Sequence, residues 1–310
     1  MPFATVDLSI IIVNWNTRDL LLQTIESVYS NPPGGFSYEI IVVDNGSVDG
    51  SIEALKQRFP KVRLIANRGN RGFGAANNQG LGLAYGRYSL MLNSDTIVLP
   101  ECLQQVTEFM EFHPKVALIG VRLLNADGSF QGSYTGYLNL WREFLILTGL
   151  GRKLYHPLFP NSREQESYQI KPVAAVQGAF MLFNTAILKE IGGFDEQFFM
   201  YGEENDLSFR LRKAGKEVYY LGNISIIHLG SQSSDKRWRK LNWQLQNSKQ
   251  LLFKKHYGSI YAMLFKLMVI FAALSKMATY RIKKMSSPNS VAGTPENWFR
   301  WSEFKQFLRA

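Results

Sequence analysis

Short apolar runs alternate with stretches of helical spacing through the first hundred residues of this chain. Residues 8–13, 39–43, 62–66 and 88–92 are rich in Ile, Val and Leu and have strand length. Between them, residues 19–30, 51–59 and 75–85 have helical character; the first places Leu20, Leu21, Thr24, Ile25 and Val28 near one face. Strand, helix and strand in this order imply right-handed crossovers between parallel strands. The expected architecture is α/β: a Rossmann-like, mainly parallel central sheet flanked by helices. A helix over 100–113 and a strand over 117–124 continue the pattern.

Such a sheet binds its ligands beyond the carboxyl ends of its strands. Two of the runs end in acids at that edge. Leu92-Asn93-Ser94-Asp95 closes one, and Asp44-Asn45-Gly46-Ser47-Val48-Asp49 follows another. Asp95 is placed to bridge Mg²⁺ or Mn²⁺ to a diphosphate, since such ions are held by one or two carboxylates plus substrate oxygens. Asp44 has two readings. Asx residues favour turns, and a strand-end carboxylate can also accept a hydrogen bond from a pyrimidine imide. Asn67-Arg68-Gly69-Asn70-Arg71-Gly72-Phe73-Gly74 is a glycine-rich loop leading into a helix. It suits an anion at a helix N-terminus but is neither a dinucleotide fingerprint nor a P-loop.

Residues 125–172 are irregular, with a turn at Asn125-Ala126-Asp127-Gly128, and read as a partly helical insertion suited to acceptor recognition. Strand returns over 173–184, a short helix over 185–191, and a helix over 203–214 stopped by Gly215. That helix opens with Glu203-Glu204-Asn205-Asp206 after the aromatic run Phe198-Phe199-Met200-Tyr201. Acids in a first turn complement the helix dipole, and Asp206 with Arg210 forms an i,i+4 pair. A glutamate against an aromatic wall also suits a general base. His228 ends the last strand, as a structural residue or a metal ligand.

Charge is unevenly spread. The chain carries a net +10 over 310 residues, yet residues 236–284 contain twelve Lys or Arg and no Asp or Glu. Elsewhere 23 basic residues face 25 acidic ones. From residue 241 onward the tail reads as helical. No uncharged run within it reaches the roughly 18–20 residues of a spanning helix. On a helical wheel Lys255, Lys266, Arg281 and Lys284 cluster, broadly opposite Ile260, Leu264, Leu267, Phe271, Leu274 and Ala278. That is the pattern of an interfacial helix on an anionic membrane; the bland alternative is a helix packed on the protein core. The single cysteine, Cys102, and a start without a secretory leader fit a reducing cytoplasm.

Taken in order, these segments resemble the family 2 glycosyltransferases, inverting enzymes of the GT-A fold. The likeness covers about residues 8–230. It rests on Ser9-Ile10-Ile11-Ile12-Val13-Asn14-Trp15-Asn16, Val42-Val43-Asp44-Asn45-Gly46-Ser47, Gly69-Asn70-Arg71-Gly72-Phe73-Gly74, Leu92-Asn93-Ser94-Asp95, Gly192-Gly193-Phe194-Asp195 and Glu203-Glu204-Asn205-Asp206-Leu207. The rhamnosyltransferase-like branch is the nearest in pattern.

The resemblance implies roles by position. Asn14, Asn16 and Asp44 line the base and ribose, and Asn70, Arg71, Gly72 and Asn93 border the nucleotide-sugar. Asp95 matches the metal-binding last Asp of Asp-x-Asp, with Asn93 replacing the first. His228 matches a histidine that joins the metal in some members. Glu204 matches the catalytic base, one methylene longer than the family's Asp, with Glu203 as competitor. Gly178 and Ala179 lie beside the acceptor.

The implied division is a glycosyltransferase domain over 1–235, with a nucleotide-binding half over 1–124 and an acceptor-binding half over 125–235. A basic, partly amphipathic tail covers 236–310. The implied partners are a nucleoside-diphosphate sugar, with dTDP-rhamnose favoured, a glycan or polyprenyl-diphosphate-linked acceptor, and an anionic membrane surface, without nucleic acid. The implied place is the cytoplasmic face of the membrane, in cell-surface polysaccharide synthesis. A nucleotidyltransferase and a non-enzymatic polyanion-binding protein are the competing classes. The first would need a basic phosphate loop after the first strand, and Asn14-Trp15-Asn16-Thr17 supplies none.

Overall fold

The computed structural model describes residues 6–148, 167–230 and 243–286, together with residues 304, 305 and 307. They group into two units. The first holds residues 6–137, 167–199 and 203–230, and the second 138–148, 200–202 and the described residues from 243 onward.

The first unit is built on a sheet of ten strands. In chain order these are β1 (Leu8–Asn14), β2 (Tyr38–Asp44), β3 (Arg63–Ala66), β4 (Tyr88–Asn93), β5 (Thr96–Val98), β6 (Val116–Leu124), β7 (Phe130–Gln131), β9 (Ile170–Pro172), β11 (Phe180–Asn184) and β12 (Glu217–His228). Two further strands, β8 (Tyr134–Thr135) and β10 (Ala175–Val176), form a separate antiparallel pair. The main sheet runs β3-β2-β1-β4-β11-β6-β12-β5, with β7 on β6 and β9 on β12. Strands β1, β2, β3 and β4 pair in parallel, as do β6 and β12. β11 pairs antiparallel with both β4 and β6, so it joins the two parallel groups in one direction.

Period-two side-chain alternation buries both faces. On β1, Leu8, Ile10 and Ile12 enter one core and Ile11 the other. The first core is covered by α1 (Arg18–Ser30), α2 (Ser51–Arg58) and α4 (Cys102–Phe112), through Leu21, Ile25, Leu55, Leu103 and Val106. The second is covered by α3 (Phe73–Leu83), α6 (Thr185–Glu190) and α7 (Glu203–Lys213), through Leu81, Leu188, Leu207 and Leu211. The small residues of α3 have a packing reason. A Cβ on Gly80 would overlap Ile11 Cγ2, so only glycine lets the helix lie this close to β1.

The expected elements through residue 124 are present. The irregular stretch 125–172 contributes β7, β8, β9 and, in the second unit, α5 (Leu140–Thr148). The expected strand over 173–184 is two strands, broken at Gln177-Gly178-Ala179. β5, three residues long, has too few positions to show a period and was not anticipated.

In the second unit α5 joins α8 (Trp243–Tyr257) and α9 (Ser259–Ser286) around a core of Leu147, Trp243, Phe253, Phe265, Val269, Phe304 and Phe307. Lys249 Nζ meets Glu143 Oε2 at 2.7 Å, tying α8 to α5. One expectation about the tail needs correction. Gly258, at φ +94°, separates α8 from α9, so Lys255 does not share a helical face with Lys266. Residues 259–279 are also long and apolar enough, by length and composition, to cross a membrane; their charges are too widely spaced to lower the mean below that of a span.

Candidate active site

The C-terminal edge of the parallel strands collects the polar residues. Register puts Asn14 at the end of β1 opposite Asp44 at the end of β2. Asn14 is fully buried; its Nδ2 donates to Asp44 Oδ2 at 2.8 Å and to Ser47 Oγ at 3.1 Å. Asp44 Oδ1 accepts from the backbone N–H groups of Gly46 and Ser47 at 3.1 and 2.8 Å. Asp44 holds its own turn, the first of its two readings, and also locks the β1 and β2 loops together. Asn16 is exposed, with φ +53°, and its Oδ1 accepts from Val48 N at 2.8 Å. Between these asparagines Trp15 projects with 39% of its surface exposed.

The glycine-rich loop is tied to the same edge. Asn45 Nδ2 donates to Asn70 Oδ1 at 3.3 Å and to Gly72 O at 3.2 Å, and Gly72 N donates to Asn70 Oδ1 at 2.9 Å. Gly72 has φ +87°, a conformation that suits glycine, and α3 begins at the next residue. Asn70 is therefore a bracket for the loop, while Arg68 and Arg71 are exposed.

β4 ends at Asn93, and Asp95 follows in the turn into β5. Antiparallel pairing of β5 with β12 sets His228 opposite Thr96, and Leu229 N donates to Asp95 O at 2.9 Å. This pairing carries His228 Nε2 to 3.2 Å from Asp95 Oδ1 and 3.4 Å from Asn93 Nδ2. Across the ring, His228 Nδ1 lies 2.6 Å from Gln131 Oε1. A carboxamide oxygen only accepts, so Nδ1 carries the proton and donates. In the neutral ring Nε2 is then an acceptor facing a carboxylate oxygen. Two acceptors at that separation need a proton or a cation between them.

A divalent ion fits. Two oxygen or nitrogen ligands at ~2.1 Å and right angles are themselves ~3 Å apart, close to the Asp95–His228 separation. One carboxylate and one imidazole suit Mn²⁺ as well as Mg²⁺. Among the described residues no cluster of three or more His, Cys, Asp or Glu could hold a metal.

Helix α7 opens beside β10. Glu203 is 5% exposed, and its Oε2 has no hydrogen-bond partner among the described residues. Burial, and then the neighbouring Glu204 carboxylate, hold Glu203 well above the usual carboxylate range. Glu204 is less buried; its Oε1 accepts from Asn205 Nδ2 at 3.0 Å, and Asn205 Oδ1 accepts from Thr135 Oγ1 at 3.1 Å. Asp206 is fully buried and pairs with Arg210 at 2.8 Å as the spacing implied; Arg210 also donates to the carbonyls of Ile191 and Gly193. Asp206 is thus a structural acid. Gly178 and Ala179 lead from β10 into β11, and Ala179 O accepts from Asn93 N at 3.1 Å. The segment expected beside the acceptor is therefore bonded to the end of β4.

Sequence reasoning missed Gln131, Thr17 and Ser94. Thr17 Oγ1 bonds Asn14 Oδ1 at 2.7 Å and lies 2.8 Å from Ser94 Oγ, joining the β1 loop to the β4 turn. The signal for Gln131 was present. The Asn125–Gly128 turn folds β7 back on β6 and sets Gln131 opposite Leu123, near the sheet edge.

A protein-family model described as Glycosyl transferase family 2 matches residues 9–192. An N-acetylglucosaminyl-diphospho-decaprenol L-rhamnosyltransferase of Mycobacterium tuberculosis is 28% identical over 213 residues, which is 63% of this chain and 67% of that protein. The low-salt glycan biosynthesis hexosyltransferase Agl10 of Haloferax volcanii is 28% identical over 233 residues, 72% of this chain and 67% of that protein. Among solved structures, a mannosyltransferase from Pyrobaculum calidifontis in complex with GDP-Man and Mn²⁺ superposes with a TM-score of 0.58 at 13% identity, covering 96% of this chain and 78% of that one. GalNAc-T7 with UDP, GalNAc and Mn²⁺ gives 0.55 at 16% identity, covering 73% and 44%. Their common fold is GT-A, and it is the fold of this chain.

Proposed function

The chain belongs to glycosyl transferase family 2, and from that premise we propose that it is an inverting, metal-dependent rhamnosyltransferase acting on a lipid-linked acceptor. The observation that carries the metal-dependent chemistry is the Asp95–His228 pair at the sheet edge, 3.2 Å apart, with the Nδ1 proton fixed by Gln131. Asp95 and His228 would hold Mg²⁺ or Mn²⁺, which when bound offsets charge on the departing nucleoside diphosphate. The locked loops carrying Asn14, Asn16 and Asp44 form the floor for the base and ribose. Asn70, Gly72 and Asn93 border the sugar-nucleotide, and Arg71 supplies a cation there. Residues 1–124 form this nucleotide half, 125–235 the acceptor half, and 236–310 the basic tail.

Glu204 removes the proton of the acceptor hydroxyl as that oxygen attacks the anomeric carbon, in a single in-line displacement that inverts configuration. Glu203, buried beside it and held well above the usual carboxylate range by burial and then by Glu204, is the competing acid of the pair. Gly178 and Ala179 border the acceptor. The donor preference follows the mycobacterial relative, as does an acceptor of the polyprenyl-diphosphate type. An acceptor of that kind places the enzyme at the cytoplasmic face of a membrane, in cell-surface polysaccharide synthesis.

The test uses the purified full chain, Mn²⁺, and dTDP-rhamnose or UDP-sugars with an N-acetylglucosaminyl-diphospho-polyprenol. Transfer from dTDP-rhamnose with an inverted anomeric centre by NMR is expected. Turnover confined to a uridine-diphosphate sugar would reject the donor. Retention of configuration would reject the mechanism, and full activity in excess chelator would reject the metal.

A further inference from the structure

Helix α9 is apolar on two opposite faces. Ala262, Phe265, Val269, Ala272 and Ala273 are 5% exposed or less and form a wall of the second unit's core. At ~100° per residue the opposite face carries Ile260, Met263, Leu264, Leu267, Phe271 and Leu274. All six are 41–69% exposed. An apolar stripe of this kind on a soluble surface marks an interaction site.

The occupant is set by charge and by what packs behind the helix. No acid occurs between Lys236 and Lys284. Lys254 and Lys255 are exposed just ahead of α9, Arg281 is exposed near its end, and Lys266 is partly exposed beside the stripe. A second copy would set this cationic segment against its like, whereas anionic lipid neutralises it. The helix has the composition of a span, but its inner face is committed to protein. α8, with Gln246 and Lys249, packs along it. A transmembrane α9 would draw those polar groups into hydrocarbon.

We propose that α9 lies flat in the headgroup–acyl boundary of an anionic bilayer, with Ile260, Met263, Leu264, Leu267, Phe271 and Leu274 inserted and the flanking cations on lipid phosphates. This deepens the membrane placement proposed above and rests on it for its purpose, though the surface itself is a property of α9.

The experiment is flotation of the full chain with vesicles of phosphatidylglycerol and phosphatidylcholine or of phosphatidylcholine alone. Leu267→Glu/Phe271→Glu alters only exposed positions; Lys254→Glu/Lys255→Glu/Lys266→Glu is a second variant that leaves the stripe intact. Calorimetric binding of nucleoside diphosphate is measured in parallel. The wild type should float with the anionic vesicles only, come off in alkaline carbonate, and bind more weakly in high salt. Each variant should partition at least tenfold less while binding nucleotide unchanged. Flotation of both variants like the wild type would overturn the proposal. So would retention in carbonate, which marks a span, or a dimer in sedimentation that Leu267→Glu/Phe271→Glu dissolves without any flotation. Loss of nucleotide binding in the wild type with flotation intact would instead remove the catalytic reading and leave this surface.

Discussion

Replacing Gln131 by alanine tests whether its side chain orients His228. Gln131 Oε1 is the acceptor for His228 Nδ1–H at 2.6 Å, and that bond keeps a proton on Nδ1 and Nε2 aimed at Asp95. Without it the ring can rotate or exchange tautomer, and part of its population presents N–H to the metal position. A net neutral hydrogen bond is worth about 1–1.5 kcal/mol, and partners that orient metal-bound histidines typically contribute 10–100-fold in affinity. One partly buried bond belongs at the lower end, so Gln131→Ala should weaken Mn²⁺ binding by about tenfold. The assay is titration of Mn²⁺ with saturating nucleoside diphosphate, following free hydrated Mn²⁺ by electron paramagnetic resonance. His228→Ala should weaken binding further, and Asp95→Ala should abolish it. Wild-type affinity in Gln131→Ala beside a large loss in His228→Ala would refute the orienting argument. Wild-type affinity in His228→Ala would remove the histidine from the site.

Glu204→Gln should lower kcat by about 10²–10⁴-fold with donor affinity retained; a dead Glu203→Gln beside an active Glu204→Gln would shift the base by one residue. Because Glu203 is raised in the folded state by burial and then by Glu204, the native chain holds a proton that the unfolded chain releases. Its contribution to stability is therefore full at low pH and falls as pH rises from about 4.5 toward the folded value. Denaturation midpoints across that window should show the decline, and Glu203→Gln should flatten it; an unchanged slope would contradict the buried acid. Asp44→Ala removes one of the two acceptors of Asn14 Nδ2 and leaves the Gly46 and Ser47 backbone N–H groups without this acceptor, costing about 3–5 kcal/mol. Asp44→Asn should cost less, and a loss below about 1 kcal/mol in urea for the alanine variant would show the loops are not held by this carboxylate.

The strands that bury both faces were legible because each has at least four apolar positions. Strand ends also located Asp44, Asp95 and His228, since parallel groups share one edge; Asn14 and Asn93 were named only by the family resemblance. What was hidden is non-local and short. β5 has three residues, and its pairing with β12 is what brings His228 to Asp95 across 133 positions of sequence. Gln131 lies on a two-residue strand that no periodicity can show. The tail illustrates a different limit. The helical wheel found the apolar stripe of α9 but could not tell whether it was packed or bare, because Phe265 and Val269 on the other face are apolar as well. Only the partners of those residues decide it.

If Asp95 and His228 hold the ion as proposed, ion and nucleotide should bind cooperatively. Asp44 has both oxygens engaged by the protein, and Asp206 is consumed by Arg210. Glu203 is buried, with its carboxyl held well above the usual range by burial and then by Glu204. Of the acids gathered here, Asp95 is the one whose position suits a cation, with a single imidazole as its companion. Two protein ligands leave most of the coordination sphere to water, so the ion alone gains little from the site. A diphosphate supplies further oxygens and two or more negative charges, and its affinity and that of the metal must then rise together by the same factor. Mn²⁺ should consequently bind weakly to the free protein and at least tenfold more tightly with nucleoside diphosphate present, and the nucleotide should show the matching gain with Mn²⁺. Equal Mn²⁺ affinity with and without nucleotide would mean that the protein alone completes the site, and that a ligand beyond Asp95 and His228 has been overlooked.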